Sequence, residues 1–237
     1  MQRYFTNSKN NNNFILSNDD LHHIKNVMRM KDNTKIEIVY HNELYIASVY
    51  FNNQEIIIKE EEKIKTKITT RNTITLIVPL LKEQKMDYIL QKATELQVDT
   101  IIPIALTRCI VKLDNKKEDK KIERWEKICK EAAEQSKRLT VPNITKLSTI
   151  KEILKLDGKK LICSTKIKEN CLSNILPNII KENIVFIFGP EGGFDSKEEN
   201  LLIENDYIPI SLGNTILRTE TAPIYILSCI NYEKDRI

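Results

Sequence analysis

Residues 183–223 read NIVFIFGPEGGFDSKEENLLIENDYIPISLGNTILRTETAP, and the chain is organised around them. Four of the five glycines in 237 residues fall in this stretch: Gly189, Gly192, Gly193 and Gly213. A chain so sparing of glycine is expected to place it where a Cβ would forbid the backbone path or a close approach. Ile184 to Phe188 is a continuous apolar run, the pattern of a parallel strand covered on both faces. It stops abruptly at Gly189-Pro190-Glu191-Gly192-Gly193. Asp195, with Glu198 three residues on, resembles a capping box opening a helix. A second short strand, Tyr207 to Leu212, ends at Gly213 and leads through Ile216-Leu217-Arg218 to another helix start. Two such transitions predict neighbouring loops at the carboxyl ends of parallel strands, where open α/β sheets bind ligands.

Upstream, residues 72–182 alternate strand and helix. Ile74 to Leu81, Ile101 to Ala105 and Lys160 to Ser164 read as strands. Met86, Ile89, Leu90, Ala93 and Leu96 share one helical face. Lys112 to Lys121 reads as a solvated charge run before an amphipathic helix carrying Ile122, Trp125, Ile128 and Cys129. Residues 171–180 are expected to be helical, and a last helix runs to Cys229, capped by Thr219 or Thr221. This alternation specifies an α/β domain with a parallel sheet. Residues 1–71 differ. Short strands at Tyr4-Phe5-Thr6 and Phe14-Ile15-Leu16 flank an Asn-rich turn and precede one helix bearing Leu21, Ile24, Val27 and Met28. Alternating runs at 35–40, 43–51 and 54–59 then predict a meander closing into a small barrel. Residues 60–71 form a charged linker or an edge strand, and the domain boundary is placed near Arg71.

Composition narrows the classes. Charged residues make up 30% and hydrophobic residues 41% of the chain, ordinary for a globular protein. Lys and Arg number 37 against 33 Asp and Glu, a net +4, which by itself argues only weakly for a nucleic-acid partner. No apolar run approaches the ~20 residues of a membrane span, and the first residues lack a signal peptide's apolar core. Five cysteines without a CxxC argue against a disulfide framework and a zinc site. A cytoplasmic protein with reduced cysteines is expected. His22-His23 has no ligand at metal spacing nearby, and no metal is expected. The loop at 189–193 has neither the lysine and hydroxyl of a P-loop nor the GxGxxG pattern, so both nucleotide fingerprints fail. Arg218 and Glu220, flanking a helix start beside a glycine loop, are the candidate chemical pair.

The segments IFGPEGGF (187–194) and LGNTILRTETAP (212–223) closely resemble the signature loops of a SPOUT-superfamily family, the ribosomal RNA small-subunit uridine N3-methyltransferases (RsmE). KMDYILQKATELQV (85–98), ERWEKICKEAAEQSKRLTVP (123–142) and, more weakly, Arg3-x-Phe5 and HHIKNVMR (22–29) add to the likeness, which spans nearly the whole chain in order. Residues 112–121 and 165–182 carry no signature. The resemblance implies a PUA-like RNA-binding β-barrel (1–71) and a SPOUT methyltransferase domain (72–237) with a deep trefoil knot, an exception to unknotted topology. It implies S-adenosylmethionine (SAM) as cofactor, a homodimer, and as substrate one uridine in the decoding region of 16S rRNA, methylated at N3 within the assembled small subunit. Carried over by position, Gly189, Glu191, Gly192, Leu212, Gly213, Ile216, Leu217 and Ala222 line the cofactor site. Arg218 and Glu220 are catalytic, and Arg3, His23, Arg29, Gln135 and Arg138 touch RNA. Rival readings are a ribose 2′-O-methyltransferase of the same superfamily and a catalytically silent RNA-binding or assembly factor.

Overall fold

Alternation of apolar and polar residues becomes β structure through the first 64 residues. β1 (Arg3–Thr6), β2 (Ser8–Asn10) and β3 (Asn13–Ile15) precede a short helix, α1 (Asn18–His22). Three longer strands follow: β4 (Thr34–Tyr40), β5 (Glu43–Asn52) and β6 (Glu55–Ile64). The six form one sheet, ordered β1-β4-β5-β6-β3-β2, in which only the β1–β4 pair is parallel. Its edge strands, β1 and β2, are consecutive in the chain with Asn7 alone between them. The two Cα–Cα steps across Asn7 span at most about 7 Å, so the sheet must curl until its edges approach, as a small barrel does. Tyr4, Phe14, Ile24, Ile36, Ile38, Val49 and Ile58 fill the interior. The charged segment after Lys59 continues β6, pairing with β5 as far as Ile64.

These coordinates come from a computed structural model, which describes residues 1–52, 55–66, 72–113 and 115–236. The boundary expected near Arg71 and the strand start expected at Gln54 lie outside the described residues. By its internal contacts the chain divides into two units, Met1–Thr70 with Ala133–Thr140, and Arg71–Ala132 with Val141–Ile237.

The helix expected through Met28 is shorter. Ser17 caps α1, its Oγ accepting from the Asp20 amide at 3.2 Å. The chain then widens into one π-helical turn, His23–Val27, closed by Met28 N donating to the His23 carbonyl at 2.8 Å. The extra residue in that turn shifts the helical phase. Ile24 stays fully buried while Val27 and Met28, expected inward, are 60% and 47% exposed. Arg29 follows in the left-handed region, φ 47°.

The second unit is an α/β sandwich. Its elements run β7 (Ile74–Pro79), α2 (Glu83–Glu95), β8 (Thr100–Ile104), α3 (Asn115–Gln135), β9 (Asn143–Ile144), α4 (Ile150–Ile153) and β10 (Lys159–Cys163). They end with α5 (Leu172–Ile179), β11 (Ile184–Phe188), α6 (Ser196–Glu204), β12 (Ile208–Ile210) and α7 (Thr221–Asp235). The strands make an all-parallel sheet ordered β12-β10-β11-β7-β8-β9. Strand alternation sends Leu76, Val78, Ile101, Leu161, Phe186 and Phe188 to one face, beneath residues of α2, α3, α5 and α7. Ile77, Ile102, Ile104, Ile162, Val185 and Ile187 go to the other, with Ile153, Phe194, Leu202 and Tyr207. β11 is buried throughout, as its apolar run requires. α3 starts at Asn115 rather than Ile122, so most of the 112–121 charge run is its first turns. Glu118 anchors it there, accepting from the Leu147 amide at 2.7 Å.

Candidate active site

An all-parallel sheet puts every carboxyl end on one edge, so the loops after β7, β8, β10, β11 and β12 gather there. Direct bonds tie them together. Ser164 N, after β10, donates to the Ile210 carbonyl of β12 at 3.1 Å, and Leu172 N donates to Ser211 O at 3.1 Å. The two glycine-bearing loops meet through one hydroxyl: Thr219 Oγ1 donates to Gly189 O at 2.7 Å.

The loop after β11 is folded tightly on itself. Gly193 N donates to Pro190 O at 2.8 Å, and a Cβ on Gly189 would stand 3.2 Å from backbone atoms of Gly193 and Phe194. That close approach is tighter than a side chain ordinarily makes and favours glycine. Arg108, in the loop after β8, braces the turn by donating to Gly192 O at 3.0 Å. Asp195 caps α6, accepting from Lys197 N at 3.0 Å. Glu198 does not complete the expected capping box. Its carboxylate instead accepts from both the Thr107 amide and the Thr107 hydroxyl at 2.8 Å, two donors that outweigh one cap amide. The loop after β12 turns at Gly213, whose φ of 121° few side chains tolerate. Ser211 Oγ holds it there, donating to Gly213 O at 3.2 Å and accepting from Gly213 N at 3.3 Å. Arg218 O accepts from the amides of Thr221 and Ala222, which starts α7. Thr219 therefore does not cap α7; its hydroxyl is committed to Gly189.

Lys85, in the first turn of α2, supplies the electrostatic centre. Its Nζ lies 3.0 Å from Glu191 Oε1 and 3.1 Å from Glu220 Oε2. Burial pushes against ionisation of Glu220, but its own backbone amide, Lys85 and the Arg218 charge prevail. The carboxyl is held below the usual glutamate range. Hydrogen bonding to Glu191 in turn holds the Lys85 ammonium above its ordinary value despite partial desolvation.

The structure therefore brings Gly189, Glu191, Gly192, Leu212, Gly213, Leu217, Arg218, Glu220 and Ala222 to one edge of the sheet. Arg218 is exposed, Leu212 and Leu217 are half-buried, and Ala222 is buried. Ile216 stands 82% exposed at the tip of its loop. The residues expected to touch RNA are placed in the first unit. There Arg3 is buried, its Nε donating to Glu37 at 3.0 Å and its Nη1 to the carbonyls of Lys137 and Arg138. Arg138 is buried as well, whereas Gln135 and Arg29 are exposed. His23 Nδ1 pairs with Tyr4 Oη at 3.0 Å. Lys85 and Arg108 escaped the sequence reading. A lysine at a helix start carries no signal of its own, though Lys85 opens one of the quoted motif segments.

A Cβ on Gly213 would meet nothing within 4 Å, so the space before that turn is open. Among the described residues, no group of three or more His, Cys, Asp or Glu is arranged to hold a metal ion. No helix among them is long and apolar enough to cross a membrane.

Comparison with known proteins gives the class. Residues 69–231 match the RNA methyltransferase domain family and residues 16–64 the RNA methyltransferase PUA domain family. Parallel sheet, paired glycine loops and PUA-like barrel together define an RNA methyltransferase. More particularly, the chain belongs to the ribosomal RNA small subunit methyltransferase E family. It is 35% identical to the Bacillus subtilis member over 99% of this chain and 98% of that one. Identity with the Mesomycoplasma hyopneumoniae member is 39%, over 97% and 99%. Among solved structures, the Neisseria gonorrhoeae enzyme bound to S-adenosyl methionine superposes with a TM-score of 0.85 at 29% identity, covering 98% of this chain and 97% of that one. A putative methyltransferase from Legionella pneumophila, in complex with SAM, gives 0.88 at 26%, covering 97% and 96%.

Proposed function

We propose that the chain methylates N3 of one uridine in the decoding region of 16S rRNA, within the assembled small subunit, using S-adenosylmethionine. The observation that carries this reading is the joining of both signature loops by Thr219 and Lys85. Gly189, Glu191, Gly192, Leu212, Gly213, Ile216, Leu217 and Ala222 hold the cofactor, with backbone groups of the two turns facing it and apolar side chains against the adenine. Bound there, S-adenosylmethionine supplies a methyl group already activated on a sulfonium. The remaining work is orientation and charge management. The N3 proton leaves to solvent, and the exposed Arg218 guanidinium stabilises the resulting charge on the uracil oxygens. An acid held below its usual range is a weak proton acceptor, so Glu220 serves by fixing Arg218. This reading also takes the target base out of its stack to reach the pocket.

In this proposal the β-barrel unit, taken as residues 1–71, binds RNA, with Arg29, His23 and Gln135 at the surface. The buried Arg3 and Arg138 shape that surface from beneath. The methyltransferase domain, residues 72–237, carries a trefoil knot. Supporting this, the chain leaves edge strand β12 and crosses back past β10 to reach Gly189 at the end of β11. The active form is a homodimer; Tyr225 and Tyr232, two turns apart on α7, are both exposed. The test is mass analysis of digested 16S rRNA after small subunits are incubated with the chain and SAM. N3-methyluridine, with a matching primer-extension stop, supports the proposal. Ribose methylation or no modification contradicts it.

A further inference from the structure

Lys85 joins three separated pieces of chain with one ammonium: α2, the loop after β11 through Glu191, and the start of α7 through Glu220. Two carboxylates converging on one point repel unless a cation stands between them. Exposed ion pairs usually contribute little. Here, however, the three side chains are only 18–30% exposed, and the acids sit on loops whose spacing defines the site. We propose that Lys85 is a positioning residue for methyl transfer, holding the two glycine-bearing loops at the separation the cofactor requires and keeping Glu220 an oriented anion beside Arg218. The inference rests on the methyltransferase reading of the site.

The charged groups facing Glu220 are Lys85 from α2 and Arg218 from its own loop, with Glu191 sharing the Lys85 ammonium. Removing Lys85 leaves only its own backbone amide and the Arg218 charge to oppose the effect of burial on Glu220. Glu220 then titrates at higher pH, and the loops lose their common tether. A residue that merely stabilised the fold would lower the melting temperature without weakening the binding of SAM by the folded chain.

The experiment compares wild type, Lys85→Gln and the charge-keeping Lys85→Arg. Carboxyl carbon NMR follows the titration of Glu220, and calorimetry follows binding of SAM. The expected result is an upward shift of the Glu220 midpoint in Lys85→Gln, with SAM affinity about tenfold weaker, a change of about 1.4 kcal/mol. Lys85→Arg recovers both. An unmoved Glu220 midpoint, or full SAM affinity in Lys85→Gln, overturns the role. Failure of the wild-type chain to bind SAM contradicts the proposed function instead, and leaves the NMR readout to decide on Lys85.

Discussion

Thr219 Oγ1 reaches across from the start of α7 to donate a 2.7 Å hydrogen bond to the carbonyl of Gly189, the residue at which β11 stops. Since β10 lies between β12 and β11 in the sheet, this bond closes the distance between loops that sheet order alone would hold apart. Thr219→Val keeps the shape and removes the hydroxyl, leaving a largely buried carbonyl with one partner fewer. The expected cost is about 1–3 kcal/mol. It is read as a several-fold loss of SAM affinity by calorimetry, together with a lower melting temperature.

Gly213→Ala probes the second turn. Nothing within 4 Å obstructs the added methyl, so the penalty comes from φ 121° alone, about 1–3 kcal/mol for a side chain held in so sparsely populated a region. SAM affinity falls about tenfold, while the circular dichroism of the folded chain is unchanged. Unaltered affinity would show that the turn is not part of the cofactor site.

Arg218→Ala and Glu220→Gln separate binding from chemistry. Arg218→Ala is expected to retain SAM binding and Glu220→Gln to weaken it by loosening the Lys85 tether, while both lower kcat on small subunits about a hundredfold, within the range for losing one stabiliser of developing charge. The pH dependence follows from the direction of the Glu220 shift. Its native value lies below the ordinary glutamate range, so the charged form is present at all pH above that range and is lost only as pH falls through the depressed value. The wild-type rate profile therefore shows no limb from Glu220 between about pH 5 and 8, that is, above the ordinary value of about 4.3. An activity limb in that window that disappears in Glu220→Gln contradicts the assignment.

A stability prediction concerns the barrel unit. Glu37 accepts from Arg3 Nε at 3.0 Å and from Lys137 Nζ at 2.9 Å. Burial raises its pKa, but these two cations outweigh burial and the net shift is downward. Its contribution is thus present above about pH 4.3, the ordinary glutamate value, and is lost as pH falls through the lower native value. Glu37→Gln is expected to reduce unfolding free energy by about 1–3 kcal/mol at neutral pH. Denaturant titrations should show that difference shrinking in acid.

Much of this was legible in the residues. The apolar run of β11 and the glycines that stop it required a buried parallel strand ending at a tight turn, and the structure has both. The alternating runs at 35–40 and 43–51 carried β4 and β5 as well, whereas the Asn-rich stretch read as a turn also holds β2, and β6 runs on to Ile64. Long-range side-chain choices were not legible. Glu198 sits where a capping box needs it, yet two donors on Thr107, 91 residues away, take its carboxylate. Val27 and Met28 keep helical spacing, but a π turn rotates them to solvent. Arg3 has an RNA-binding residue type, but its guanidinium is spent on Glu37 and two carbonyls inside its own unit. Lys85 is invisible to periodicity because its role depends on two acids more than 100 residues downstream.

The turns at Gly189 and Gly213 are proposed to fold against each other and hold a methyl donor. Calorimetric titration of SAM into the wild-type chain and Gly189→Val tests that arrangement, because a Cβ there already stands 3.2 Å from the Gly193 backbone and the branched side chain adds bulk to that tight contact. The account predicts saturable binding, one SAM per chain, by the wild type, and none by a Gly189→Val chain that still melts cooperatively. Equal affinity in the two chains, or no binding by the wild type, would contradict it.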